Sequence, residues 1–124
     1  MTAKRILHIE DNPFNRKIVR DLLSRTSYLL AEASDGGEGL AQARADPPHL
    51  VLVDIQLPGM SGLDVTRELR RDPRTAEVPI VVITSFALSG DEQRAKDAGA
   101  SDYVAKPYSP RDLLGVIRRL APED

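Results

Sequence analysis

Leu50-Val51-Leu52-Val53-Asp54 is an unbroken aliphatic run closed by an acid. It is too short for a helix and does not alternate polar with apolar residues. A short, wholly apolar segment with prominent β-branched residues suits a strand buried on both faces, as in a parallel sheet covered by helices. Ile6-Leu7-His8-Ile9, Ile80-Val81-Val82-Ile83 and Tyr103-Val104-Ala105 read the same way, and Tyr28 to Ala33 is a weaker fifth strand.

Amphipathic stretches lie between these runs. Phe14, Ile18, Val19, Leu22 and Leu23 recur at helical spacing. Leu63, Thr66, Leu69 and Arg70 follow the same period more weakly, and Leu113, Leu114, Ile117 and Leu120 form a last stripe. Asn12-Pro13 and Ser109-Pro110 each place an N-cap before a first-turn proline. Asp35 with Glu38, Ser61 with Asp64, and Ser89 with Glu92 have capping-box spacing. Gly99 and Pro73 mark two helix ends or the loops after them. Strand and helix therefore alternate five times, and right-handed crossovers give an α/β fold, a doubly wound parallel sheet with helices on both faces.

The 124 residues suit one domain over 1–124, with no room for an output domain after the last helix. Seventeen basic against nineteen acidic residues leave a net charge of −2, which argues against direct nucleic-acid binding through bulk charge. With no cysteine there is no disulfide scaffold, thiolate nucleophile or cysteine zinc site. His8 and His49 are too far apart in the chain for a His-rich metal motif. No apolar run approaches a membrane span and no signal peptide is evident, so the expectation is a cytoplasmic protein without membrane contact.

Ligands of an open parallel sheet bind beyond the carboxyl ends of its strands. Glu10-Asp11 follow the first run, Asp54 ends the third strand, Thr84 the fourth, and Lys106-Pro107 follow the fifth. The opposite edge carries Lys4, Arg5, His49, Pro79 and Asp102, which read as ordinary solvated loop residues. Three carboxylates against one ammonium leave the crevice negative. A hard divalent cation cancels that charge, and oxygen ligands suit Mg²⁺, which needs only one or two protein carboxylates. A site with a cation, a lysine and a hydroxyl suits a ligand with several anionic oxygens, and phosphoryl is the obvious one. Without a phosphate-binding loop, a cysteine or a suitably placed histidine, the best nucleophile is a carboxylate, a group that forms aspartyl phosphate. Taken singly, each of these residues reads as a turn, a cap or a solvated loop; their agreement across four strand ends is the signal.

The chain resembles the receiver domains of two-component response regulators over essentially its whole length. The matching motifs are Ile9-Glu10-Asp11-Asn12, Val53-Asp54-Ile55-Gln56-Leu57-Pro58-Gly59-Met60-Ser61-Gly62, Ile83-Thr84-Ser85, and Ala98-Gly99-Ala100-Ser101-Asp102-Tyr103-Val104-Ala105-Lys106-Pro107. The resemblance implies a flavodoxin-like five-stranded sheet of order 2-1-3-4-5. It implies that Asp54 is the phosphoacceptor, and that Asp11, Asp54 and the Gln56 backbone carbonyl hold Mg²⁺, with Glu10 acting through metal-bound water. Lys106 and Thr84 would bind phosphoryl oxygens, small Ser85 would leave them room, and Thr84 with Tyr103 would form the switch. The donor would be a phosphohistidine on a sensor histidine kinase or histidine phosphotransfer protein. Phe14, Asn15, Ile18, Pro107 and Tyr108 are candidates for docking it, although a core role for Ile18 is as good a reading. The output would be a downstream protein target reached through a changed face of the fourth helix, fifth strand and fifth helix, or onward transfer in a phosphorelay. The chain would be a monomer or weak homodimer.

Some residues depart from the commoner pattern. Glu10 stands where many relatives have Asp, and His8 occupies a position more often aliphatic; it reads as a core histidine with a satisfied hydrogen bond. The stretch from Phe86 to Glu92 is similar to that of single-domain regulators of cell cycle or phosphorelays, and Phe86 would join the moving loop. A haloacid-dehalogenase-like phosphatase would want a second Asp where Gln56 stands, and no nucleotide-binding glycine motif occurs. Flavin binding would want hydroxyls where Glu10-Asp11-Asn12-Pro13 stand. A receiver that only docks, without switching, is the third alternative.

Overall fold

In the computed structural model, which describes residues 3–84 and 90–123, strands and helices alternate as the sequence predicts. They are β1 (Arg5–Ile9), α1 (Pro13–Leu23), β2 (Leu29–Ala33), α2 (Gly36–Ala45), β3 (Leu50–Asp54), α3 (Gly62–Arg71), β4 (Ile80–Thr84), α4 (Asp91–Ala98), β5 (Asp102–Ala105) and α5 (Pro110–Leu120). The five strands form one parallel sheet in the order β2-β1-β3-β4-β5.

Each central strand sends alternate side chains to opposite faces. Leu7, Ile9, Val51, Val53, Ile80 and Val82 meet Leu40, Val65, Leu69 and Ala95 from α2, α3 and α4. Ile6, Leu50, Leu52, Val81 and Ile83 meet Val19, Leu23, Leu113 and Ile117 from α1 and α5. Burial of a Val, Leu or Ile side chain stabilises by about 1.5–3 kcal/mol, so the two layers supply the main driving force. β2 is an edge strand, and Leu29 remains 55% exposed, which explains its weaker sequence signal. The apolar stripe of α1 divides: Val19 and Leu23 are core, while Phe14 is 70% and Ile18 36% exposed.

The helix starts mostly follow the sequence. Asn12 Oδ1 accepts from the Phe14 and Asn15 amides, and Ser109 Oγ accepts from that of Asp112. Ser61 and Asp64 form a complete capping box, Asp replacing the usual Glu. At α2 only half the box forms. Asp35 accepts from the Glu38 amide, but the Glu38 carboxylate turns to the Ser34 hydroxyl, 3.0 Å away. The third expected box is corrected: Gly90, at φ 90°, caps α4 with no side-chain bond, and Ser89 lies outside the described residues. Gly99 ends α4 in the left-handed region, as expected of a C-cap glycine.

Gly62 lets α3 start hard against the end of β3. A Cβ there would stand 2.1 Å from the Asp54 carbonyl oxygen, and the Gly62 amide donates to the Ile55 carbonyl at 2.8 Å. The backbone cannot yield as a flexible side chain would. Gly62→Ala is therefore expected to destabilise by about 3 kcal/mol, the upper part of the overpacking range. Urea unfolding measures it; a change within error of zero would show that α3 shifts at no cost.

The opposite sheet edge is not the row of solvated loop residues that the sequence predicts. His49, Pro79 and Asp102 are half-buried, His49 Nδ1 accepts from the Arg5 amide at 2.9 Å, and Asp102 pairs with Arg119. Arg5 spans to Asp46 and the Pro47 carbonyl, so these residues tie strand starts together.

Candidate functional site

The carboxyl ends of β1, β3 and β5 bring their polar residues together. Glu10 follows β1 and is 1% exposed; Asp54 closes β3 and is 5% exposed. Lys106 follows β5 and its Nζ donates to Glu10 Oε1 at 2.8 Å and to Asp54 Oδ2 at 2.9 Å. Asp54 Oδ1 accepts the Gln56 amide proton at 3.0 Å. Both Asp54 oxygens are therefore oriented, one by a backbone donor and one by a cation. Asp11 is exposed, yet one of its carboxylate oxygens lies within 4.8 Å of an oxygen on Glu10 and on Asp54.

Thr84 is buried at the end of β4, opposite Ala105, and its carbonyl accepts the Lys106 amide proton at 2.7 Å. Gln56 is exposed beside Asp54. Ser85 and Phe86 lie outside the described residues. Tyr103 is half-buried in β5 and packs on the layer containing Ala95 of α4. Asn15, Ile18, Pro107 and Tyr108 line a groove of about 500 Å³ with Lys106 and Pro110, and the exposed Phe14 lies one helical turn before Ile18. A second concavity, about 370 Å³, lies away from the acids between the starts of β1 and β2 and the end of α2.

Burial pushes the Glu10 carboxyl up to about 7; contact with Asp54 adds to the rise, and Lys106 opposes it. Burial alone would lower Lys106, but its bonds to Glu10 and Asp54 outweigh that and raise it. Glu10 Oε2 is buried without a hydrogen-bond partner. A buried carboxyl oxygen left unsatisfied beside two more carboxylates is what a bound cation would complete, and an all-oxygen donor set suits a hard ion. His8, below Glu10 on the α1 and α5 face, departs from expectation. It is a core residue, but its Nδ1 has no hydrogen-bond partner, and burial, reinforced by Lys106, pushes it down to about 4, so it is neutral.

The sign of the Glu10 shift makes a prediction. Its ordinary value is 4.5 and its folded value about 7, so above pH 7 the native state carries a charge that burial disfavours. That cost fades as pH falls from 7 and is lost below 4.5, where both native and unfolded states bind the proton. Glu10→Gln removes the charge, so with chelator present it is expected to stabilise at pH 8 by about 1–3 kcal/mol. Near pH 4 the difference should nearly vanish. Urea unfolding at the two pH values is the check, and a variant less stable at pH 8 would contradict the account.

Sequence reading missed Arg16. Its Nη1 donates to the Glu10 carbonyl at 2.8 Å. The available signal was an arginine in the first turns of the helix that follows an acid pair, ahead of the apolar Val19.

Comparison with known proteins places the chain in a family. The family model described as response regulator receiver domain matches residues 6–118. The polar-differentiation response regulator DivK of Brucella ovis is 41% identical over 116 residues, covering 94% of each chain. Among solved structures, the receiver domain of sensor histidine kinase PA1611 from Pseudomonas aeruginosa, with a magnesium ion coordinated in its active-site cleft, has TM-score 0.89 and 32% identity. That match covers 97% of this chain and 98% of that one. The chemotaxis protein CheY4 of Vibrio cholerae has TM-score 0.90 and 26% identity, covering 96% and 99%. The chain belongs to the receiver domains of two-component response regulators.

Proposed function

We propose that Asp54 accepts a phosphoryl group from a phosphohistidine on a sensor histidine kinase or histidine phosphotransfer protein, with Mg²⁺ held by Asp11, Asp54 and the Gln56 carbonyl beside Glu10. The observation that carries the reading is the Lys106 ammonium, 2.8 Å from Glu10 and 2.9 Å from Asp54, next to a third carboxylate. The magnesium in the cleft of the PA1611 receiver supports the choice of ion.

An Asp54 oxygen forms the new P–O bond while the P–N bond to the donor imidazole breaks, its electron pair remaining on the nitrogen. No base is needed, because an ionised carboxylate is already the nucleophile. Lys106 places fixed positive charge where phosphoryl oxygens arrive, and the Gln56 amide holds Asp54 in place. Mg²⁺, when bound, supplies further charge neutralisation on the transferred group. The groove of Asn15, Ile18, Pro107 and Tyr108, with the projecting Phe14, would seat the helices around the donor histidine.

The phosphorylated side chain carries about one further negative charge and new acceptor oxygens. The Thr84 hydroxyl would move to one of them, and Tyr103 would turn inward. The face of α4, β5 and α5 would then favour a different partner, or the group would pass on in a relay. Incubation with Mg²⁺ and acetyl phosphate tests the reaction by intact mass. One phosphoryl group should be gained with Mg²⁺ and none with chelator. No gain, or a label mapped to another residue, refutes the proposal.

A further inference from the structure

The metal-binding reading above accounts for Glu10, Asp11 and Asp54, but not for what fixes the peptide joining the first two. Asp11 is exposed and sits in the turn between β1 and α1, where a backbone rotation would swing both acids. The Glu10 amide is held by the Ala33 carbonyl of β2 at 2.9 Å. Its carbonyl, which belongs to the Glu10–Asp11 peptide, accepts from Arg16 Nη1 at 2.8 Å.

Arg16 is itself tethered. Its Nε lies 3.5 Å from Glu32 Oε1, and Glu32 is gripped by both Arg20 Nε and Nη2 at 2.9 and 2.8 Å. Glu32 sits on β2 opposite His8, so the chain of contacts runs from the sheet through Glu32 to Arg16 and on to the site peptide. Downstream, Asn12 is locked as the N-cap of α1, and its carbonyl accepts the Arg16 amide proton at 3.0 Å. Arg16 therefore fastens the turn by its side chain at one end and by its backbone at the other.

We propose that Arg16 is a positioning residue for the metal site: by holding the Glu10 carbonyl, it fixes the peptide that aims Glu10 and Asp11 at one cation. The alternative is that Arg16 is only a nearby positive charge. The two accounts differ in sign. A bare charge repels Mg²⁺, so removing it would tighten binding. A holder of the turn preorganises the ligands, so removing it weakens binding.

The inference rests on the Mg²⁺ reading, and calorimetric titration of the whole chain with MgCl₂ separates the two. Arg16→Met is expected to weaken Mg²⁺ binding about tenfold, the lower end for loss of a group that orients metal ligands. Arg16→Lys, which keeps the charge and one donor, should recover part of the loss. Glu32→Gln, which leaves Arg16 but loosens its tether, should fall between the parent and Arg16→Met. It also carries the test alone should Arg16→Met fail to fold. Val19→Ala in the same helix, away from the acids, serves as a destabilised control that should bind as the parent does. Parent-like or tighter binding by Arg16→Met, or equal weakening by Val19→Ala, overturns the role of Arg16 alone. If Arg16→Met does not fold, parent-like binding by Glu32→Gln overturns it. A parent that binds no Mg²⁺ overturns the metal site and this role together.

Discussion

Asp54→Asn is expected to take up no phosphoryl group under conditions in which the parent is fully labelled. The substitution is close to isosteric, so the strand end should keep its place. An amide oxygen can still accept the Gln56 amide proton that Asp54 Oδ1 now accepts at 3.0 Å. The other position becomes an NH₂ facing Lys106, which loses its 2.9 Å acceptor but keeps Glu10 at 2.8 Å. What disappears is the nucleophile, since a neutral amide does not form an acyl phosphate. The effect is therefore loss of the reaction rather than slowing, and the loss of a carboxylate weakens Mg²⁺ binding as well. Intact mass after acetyl phosphate and Mg²⁺ measures the first, and calorimetry the second. Labelling of Asp54→Asn at the parental rate would remove Asp54 from the mechanism.

Lys106→Met should separate two jobs of one ammonium. Its Nζ is the shared partner of two buried carboxylates, and its side chain is only 16% exposed. Breaking a buried ion pair at one partner costs about 3–5 kcal/mol. Here Glu10 relieves part of the cost by holding its proton more tightly, because Lys106 is one of the groups that pull its titration down. At pH 8 with chelator the expected loss is about 3 kcal/mol, shrinking towards pH 6 as Glu10 protonates. Mg²⁺ binding should move the other way and tighten, since a competing cation is gone. Phosphoryl uptake should nevertheless slow about 100-fold, the usual scale for loss of one preorganised donor to a charged transition state. Urea unfolding, calorimetry and timed intact-mass measurements read the three effects. Tighter metal binding with unchanged rate would mean that Lys106 is a structural counter-ion and not part of the transfer.

Most of the site residues were legible in the sequence because the parallel sheet turns chain position into spatial position. An apolar run buried on both faces has to end where the helix layers end, so the first polar residues after it come to the sheet edge. Glu10, Asp54 and Lys106 come together for that reason, although 96 residues separate the first from the last. The capping residues Asn12, Ser61 and Ser109 were legible too, because a cap is a local bond between neighbours. The α4 start was not. Gly90 holds the cap with no side-chain bond, and a spacing of Ser and Glu cannot distinguish that from a box.

What the sequence by itself determined was the alternation of strand and helix, the sheet edge where the acids and Lys106 gather, and the residue types found there. These follow from hydrophobic period and local hydrogen bonding, which depend on neighbours in the chain. Only the tertiary structure decided which side of α1 faces solvent, leaving Phe14 and Ile18 out of the core, and that one nitrogen of the core residue His8 is unpaired. It alone decided that burial pushes the Glu10 carboxyl up to about 7 and that Arg16 holds its carbonyl. Burial, electrostatic field and long-range contact depend on groups distant in sequence, and their magnitudes exist only once the layers have packed.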